Sequence, residues 1–580
     1  MNKSISWVLI SSLLCSCSDS EQNQIVPEPG PTTQQGPQLQ EGTALFDYFN
    51  YKGHDACFDN LSLGAGDFLN PVLPGCYPDP SVCSNGKGDY YLIASSFAYF
   101  PGVPLFHSRD LVNWKQINNI ISRDSQLDNI IGQDTSGGIY APAIDYNPHN
   151  DTYYMITCNI GKGCFLVKAK DPAGEWSDPI YLDNVYGIDP SLLFDDDGKA
   201  YIVVCAEAPD NKEEYGGHHT VRIIEYDTET DRTVGDRKII VNKGSRPSEN
   251  PIWCEGPHLY KIKGKYYLIT AEGGSGDWHS EVVYKSPAPF GPYVAYDKNP
   301  ILTQRMVPWD REYPISEAGH ADIIEGPDGQ WWGFFLGRRP VNQNYFENLG
   351  RETFMYPVEW TEDGWPFMTG EIKPIPKILN IPGVTVGENP TFGNFERHYT
   401  FDEEKLDFTW MSLRRDITGY YSLTRVPGYL ALDCQSINVK SKDAPSYLGR
   451  RVQHHSYEVS TRMGFNSRSG NEAAGLLIYK DEKHQYFFAK GLVNNQKSLF
   501  LTEVSPDGER NVAVLSLPEN NDYIDLKIVS NGTSYDFYYS FDNGNSWDWL
   551  AKNITALLTS SRAAGGFTGT TVGLYATSNK

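Results

Sequence analysis

Between residues 77 and 337 the apolar positions fall into one recurring unit. Residues 253–274, WCEGPHLYKIKGKYYLITAEGG, show it whole. A carboxylate opens an apolar strand, a Gly-containing polar turn follows, and a second strand is dense in aromatic and β-branched residues. Two such runs around Lys-Ile-Lys-Gly-Lys predict a β-hairpin. The unit recurs at residues 77–95 (YPDPSVCSNGKGDYYLIAS), 140–158 (YAPAIDYNPHNDTYYMITC), 187–205 (GIDPSLLFDDDGKAYIVVC) and 319–337 (GHADIIEGPDGQWWGFFLG). A repeat spacing of roughly 50–65 residues is on the scale of propellers and arrays. A unit of that length holds about four short strands, and such units can close radially into a β-propeller with only short, protected edges.

The pattern changes after residue 380. Residues 381–393 are rich in Pro and Gly and lack the repeat, which marks a boundary. From Asn394 onward the chain alternates short strands and turns, including AAGLLIYKDEKHQYFFAKG and YIDLKIVSNGTSYDFYYSFDNG, the pattern of a β-sandwich. No convincing amphipathic helical stretch appears. The expected class is therefore all-β: a five-bladed β-propeller over residues 42–382, then a sandwich over 394–580.

The first 41 residues are of another kind. Lys3 precedes the apolar run 7–14, too short to span a bilayer as a stable helix and typical of a signal peptide. Leu14-Cys15-Ser16-Cys17 resembles a bacterial lipobox, which implies cleavage after residue 16 and lipidation of Cys17. Residues 18–41 are polar and rich in Gln, Pro and Gly, a disordered tether. The expectation is a protein lipid-anchored to a bacterial cell envelope.

Composition adds mostly exclusions. The net charge is −24 with no basic run, which argues against nucleic acid as a partner. The ten cysteines show no metal-binding spacing. Cys158, Cys205 and Cys254 lie in or beside apolar strands and read as buried free thiols. Cys57, Cys76 and Cys83 lie in loop-rich sequence, where pairing is left open. Aromatics make up 13% of the chain, which suits both strands and sugar-stacking surfaces.

In a propeller the first strand of each blade lines the axis. Asp79, Asp189 and Glu255 occupy closely matching places at the starts of three units, and His320 and Asp322 come from a fourth. Asp-Pro and Glu-Gly-Pro also serve as turn residues. Three carboxylates directed at one axis nevertheless repel one another, which points to chemistry.

The same stretches carry a family resemblance. YPDPS, GIDPSLLFDDDGKAYI and EGPHLYKIKGKYYL resemble the three acid-bearing motifs of glycoside hydrolase family 43. SSFAYFPGVPLFHSRDLVNW, SGGIYAPAI and LGRET resemble its β-xylosidase/α-L-arabinofuranosidase branch. AGLLIYKDEKHQYFFAKG and GFTGTTVGLYA resemble the concanavalin-like jelly roll that follows many of these catalytic domains. The resemblance implies an inverting exo-glycosidase acting on plant-cell-wall xylan or arabinoxylan oligosaccharides. By motif position Asp79 is the general base, Glu255 the general acid, and Asp189 the acid that tunes the pKa of Glu255. Phe97, Tyr140 and Arg351 are candidates for substrate binding, with Arg338 and Arg339 behind them. Tyr140 stands where many relatives have Trp. His320, in AGHAD, matches a family histidine near the axis and leaves room for a structural calcium ion; no cofactor is required. Phe567, in GFTG, resembles a position that some relatives direct toward the active site. Two other classes compete: a non-catalytic sugar-binding surface lipoprotein, and a protein-binding propeller. The intact acid triplet argues against the first, and missing WD or kelch signatures against the second.

Overall fold

The structure, a computed structural model, describes residues 36–128, 130–343 and 346–580. Cys17, the expected signal peptide and most of the expected tether lie outside the described residues.

Residues 81–367 form five antiparallel sheets, each a meander of at least four strands in chain order. Their first strands are Ser81–Ser84, Ile139–Asn147, Ile188–Phe194, Glu255–Ile262 and Ser316–Glu325. Each first strand touches the next, and the fifth returns to the first, so the ring is closed. The second strands explain the sequence signature. In Ala200–Glu207, Ile202 and Val204 pack against the second sheet while Val203 packs against the fourth. A strand enclosed on both sides has no polar face to alternate, so it reads as a continuous apolar run. Five hydrophobic clusters fill the spaces between neighbouring sheets, one for each pair.

Around the axis the first strands are joined by polar side chains. Asp322 accepts hydrogen bonds from Ser81 Oγ (2.9 Å), the Val82 amide (2.9 Å) and Tyr260 OH (2.6 Å), so one carboxylate links the first, fourth and fifth sheets. Ser81 Oγ accepts from the Ile144 amide at 3.0 Å and brings in the second. Ser191 Oγ donates to the Pro257 carbonyl at 2.6 Å, joining the third to the fourth.

The C-terminal part is a two-sheet sandwich. One sheet has six strands, from Tyr447–Arg451 through Gly508–Ser516, and the other has nine. The nine-stranded sheet corrects the expected start of the propeller at residue 42. Thr43–Phe46 pairs with Leu430–Asp433 and Ser456–Gly464, and Phe49–Gly53 with Phe395–Tyr399 and Ser456–Gly464. These N-terminal strands belong to the sandwich. Phe46, Phe49 and Tyr51 are buried in its core. Pattern alone did not place them, because a lone short strand carries no mark of its partner.

The cysteines need a second correction. Cys158, expected as a free thiol, forms a disulfide with Cys164. The two face each other on the adjacent strands Thr152–Asn159 and Gly163–Ala169, symmetric about a tight turn. Cys57, Cys76, Cys83, Cys205 and Cys254 are free.

Candidate active site

The three acids and His320 share a backbone device. Asp79 and Asp189 sit at φ 55° and 54°, His320 at 53°, and Gly256, directly after Glu255, at 56°. Ladder register shifts around Asp189, Glu255 and His320. Bulges of this kind re-aim a side chain, and a left-handed non-glycine residue costs about 1–3 kcal/mol. At Gly256 the need for glycine is direct: a Cβ there would lie 2.7 Å from the His320 ring.

Asp79 is buried and fully engaged. Arg351 Nη1 donates to its Oδ1 at 2.9 Å, and Ser95 Oγ donates to its Oδ2 at 2.6 Å. His320 Nδ1 lies 3.6 Å away. Burial by itself would raise its pKa, but Arg351, His320 and Ser95 outweigh burial and hold the carboxyl below its ordinary 3.8.

Glu255 and Asp189 are in the opposite state. The Gly256 amide donates to Asp189 Oδ2 at 3.1 Å, which places the two acids side by side. Burial first, then the charge of Asp79, pushes Asp189 up to about 7. Burial first, then Asp189 and Asp79, pushes Glu255 well above its ordinary 4.5. The sequence suggested an ionised Asp189 as the main cause of the rise at Glu255. The structure ranks burial ahead of it, and Asp189 is itself part-protonated near neutrality. Glu255 is the one acid of the three that is only half-buried, so a ligand can reach it.

The walls are aromatic. Phe97 stacks on Phe567 (6.2 Å, 18°), and Tyr140 meets both edge-on at 5.7 Å. The Arg351 guanidinium lies 5.8 Å from the Phe97 ring and 5.4 Å from the Phe567 ring. Its Nε is buried without a hydrogen-bond partner among the described residues. Phe567 comes from the sandwich and remains 36% exposed, so it is not a core residue. Its loop docks where two backbones touch: a Cβ on Gly350 would lie 2.8 Å from Gly569 Cα, and one on Gly569 2.5 Å from the Leu349 carbonyl. The buried Lys480 ammonium donates to Ser561 Oγ (3.2 Å) and the Thr568 carbonyl and ties the loop down.

The remaining candidates are structural in their contacts. Arg338 pairs with Glu317 at 2.6 Å, and Arg339 with Glu352 (2.8 Å) and Asp55 (3.0 Å). Burial pushes His320 down to about 4. Among the described residues no group of three or more His, Cys, Asp or Glu side chains is placed to hold a metal ion. Asp195, Lys261 and Tyr266 form a turn-side network, consistent with the DDDG segment being a turn. Sequence reasoning did not single out Ser95 or His279. Ser95 closes the repeat that Asp79 opens, so its position held the signal. His279 Nδ1 bonds the Glu317 carbonyl at 2.8 Å from outside any repeat motif, and nothing local marked it.

Residues 68–366 match glycosyl hydrolases family 43, and residues 398–580 match the β-xylosidase C-terminal concanavalin A-like domain. The chain belongs to glycoside hydrolase family 43. It is 36% identical to a non-reducing end α-L-arabinofuranosidase of Bacteroides ovatus, over 90% of this chain and 93% of that one. It is 37% identical to a xylosidase/arabinosidase of Butyrivibrio fibrisolvens, over 88% and 96%. Among solved structures, a family 43 subfamily 12 protein retrieved from a capybara gut metagenome superposes with a TM-score of 0.85 at 38% identity, covering 93% of this chain and all of that one. This family 43 chain is thus a glycoside hydrolase: an all-β propeller protein with a concanavalin-like domain behind it.

Proposed function

We propose that this enzyme is an inverting exo-glycosidase that releases terminal xylosyl or arabinofuranosyl residues from xylan-type oligosaccharides. One observation carries the reading: Asp79, bound by Arg351 and Ser95, is held below its ordinary 3.8, while burial and the neighbouring acids Asp189 and Asp79 push Glu255 well above its ordinary 4.5. Inversion needs that division, a base to activate water on one face of the sugar and an acid to protonate the leaving oxygen on the other, with carboxyls roughly 6.5–9.5 Å apart. Asp79 is the base, Glu255 the acid, and Asp189 the neighbour that keeps the acid's pKa high. Arg351 fixes Asp79 and offers Nε to a sugar hydroxyl. Phe97, Tyr140 and Phe567 pack against the sugar ring. The names of the relatives support pentose substrates. The five sheets, one hydrophobic cluster between each neighbouring pair, support reading them as five propeller blades.

Proton NMR of fresh product tests the stereochemistry. The first product should be the anomer opposite to the substrate; retention at early times removes the role given to Asp79. Lipidation at Cys17 and a place on the bacterial envelope complete the proposal. Cys17→Ala should release the enzyme from membranes into the soluble fraction, and unchanged membrane association would rule out the anchor.

A further inference from the structure

A cavity at the seam between propeller and sandwich has no part in the mechanism above. It holds about 510 Å3, within the range of small-molecule sites, about 300–1,000 Å3. Tyr77, Phe106 and Trp114 line it from the propeller, and Phe395, Arg397 and Arg450 from the sandwich. None of the three acids lines it, nor do Phe97, Tyr140, Arg351 or Phe567. Its charge is one-sided. Lys115, Arg397 and Arg450 are on the lining, and no Asp or Glu is. The chain as a whole has 73 acidic and 49 basic residues, so this bias is local and runs against composition.

Arg450 carries the argument. It is only 4% exposed, and its Nε and Nη1 are buried without a hydrogen-bond partner among the described residues. No carboxylate of the described residues pairs with it. Its guanidinium lies 4.7 Å from the Tyr399 ring and 6.0 Å from the Tyr51 ring. Ring faces attract a cation but do not neutralise it. Two carboxylates whose charge reaches these tyrosines are engaged elsewhere. Asp55 pairs with Arg339 at 3.0 Å, and Asp407 accepts from the Thr409 amide at 2.9 Å. Arg397 donates to the Glu396 carbonyl at 3.0 Å and the Pro390 carbonyl at 3.3 Å, and these also leave its charge unpaired. Burial first lowers the pKa of Arg397, and the like charge of Arg450 works in the same direction. A buried charge without a counter-charge is strongly unfavourable, and an anion in the cavity would supply one.

We propose that this cavity is a binding site for a uronic acid, with Arg450 and Arg397 facing the carboxylate and the aromatic wall receiving the sugar ring. A guanidinium matches a carboxylate in shape as well as in charge. Tyr77, Phe106 and Trp114 supply apolar surface for the C–H face of a ring. Gln453, also on the lining, spends its Nε2 on the Pro74 carbonyl at 3.1 Å and keeps Oε1 for a hydroxyl. A neutral sugar would leave the guanidinium uncompensated, and inorganic phosphate would leave the rings uncovered. The site is separate from the catalytic acids, so its occupant is a second carbohydrate ligand and not the bond that is cut.

Isothermal titration of the full chain tests this with sodium glucuronate, with glucose, the same ring without the charge, and with inorganic phosphate. Glucuronate should bind at least roughly tenfold more tightly than either, the worth of one charge-assisted contact. Arg450→Met should weaken glucuronate roughly tenfold to hundredfold and leave the rate on a neutral pentosyl substrate unchanged. Without ligand, Arg450→Met should melt no lower than the wild type, because an unpaired charge is gone. With saturating glucuronate only the wild type should shift upward. A variant that melts equally far below the wild type with and without glucuronate would mean that Arg450 only packs, which overturns the site. Arg397→Gln, at a half-exposed position, should also weaken glucuronate and serves if Arg450→Met fails to fold. Glucuronate that binds both variants as it binds the wild type, or that competes with the pentosyl substrate, sits elsewhere and overturns the proposal. Equal affinity for glucose overturns the role of the charge, and tighter binding of phosphate overturns the uronate. A wild type that binds no glucuronate removes the proposal outright.

Discussion

Asp79→Ala and Glu255→Ala should part company on leaving group. General acid help is worth ~10²–10⁴-fold, so Glu255→Ala should lose about that much on a disaccharide and far less on a dinitrophenyl glycoside, whose anion departs unaided. Asp79→Ala should lose activity on both, because water must be activated whichever group leaves. Identical leaving-group dependence in the two variants would overturn the assignment. Asp189→Asn should lower the alkaline limb of the pH profile, since its charge is the second cause of the rise at Glu255. The limb should stay above an ordinary Glu, because burial remains the first. The same residue has a stability signature. Its folded pKa of about 7 exceeds the ordinary 3.8. The stability it contributes is therefore complete below that value and lost as pH rises through about 7. Asp189→Asn should gain on the wild type in melting temperature between pH 4 and 8; parallel curves would mean that the carboxyl is not raised. At this scale the sequence was most legible, because each acid lies in a motif at a strand start. The order of causes was not legible: burial is a property of the ring of sheets, which no single motif reports.

Two elements decide how the pocket is finished, and they differ in legibility. The loop carrying Phe567 was found through its GFTG motif, but its docking depends on Gly350 and Gly569, nearly 220 residues apart. Phe567→Ala should raise KM for a disaccharide severalfold while the melting temperature barely moves, as expected for an exposed ring. A drop of many degrees would return Phe567 to a packing role. The disulfide between Cys158 and Cys164 is not marked by the repeats, which contain only one of its two cysteines. Cys164 lies just past one, mirrored across the turn from Cys158. Cys158 also pairs with Tyr140 across the ladder, so the disulfide backs one wall of the pocket. Replacing both cysteines by Ala should cost about 2 kcal/mol in denaturant unfolding, the worth of a short closed loop. No change would show that the bond contributes nothing to the folded state.

The molecule as a whole does not divide where the sequence suggested. The repeat announced the propeller, and alternation announced the sandwich. Strand pairing between distant segments was invisible, because a strand's pattern shows which face is buried and not against what. Thr43–Phe46 and Phe49–Gly53 lie inside the larger sandwich sheet. A chain beginning at residue 55 should therefore fail to fold, and so should one ending near residue 383; a soluble, cooperatively melting product from either would contradict this pairing. The feature also has a history in time. Thr43 and Asp433, joined by a 2.7 Å hydrogen bond, are 390 residues apart. At roughly 5–20 residues per second of synthesis, the first strands wait about 20–80 s for their partners. Throughout that interval they are an unpaired edge, a template for the wrong neighbour. The catalytic ring is complete in sequence long before its clasp is made. An unfinished chain thus carries all three acids before the sandwich strands that pair with Thr43–Phe46 and Phe49–Gly53 have emerged.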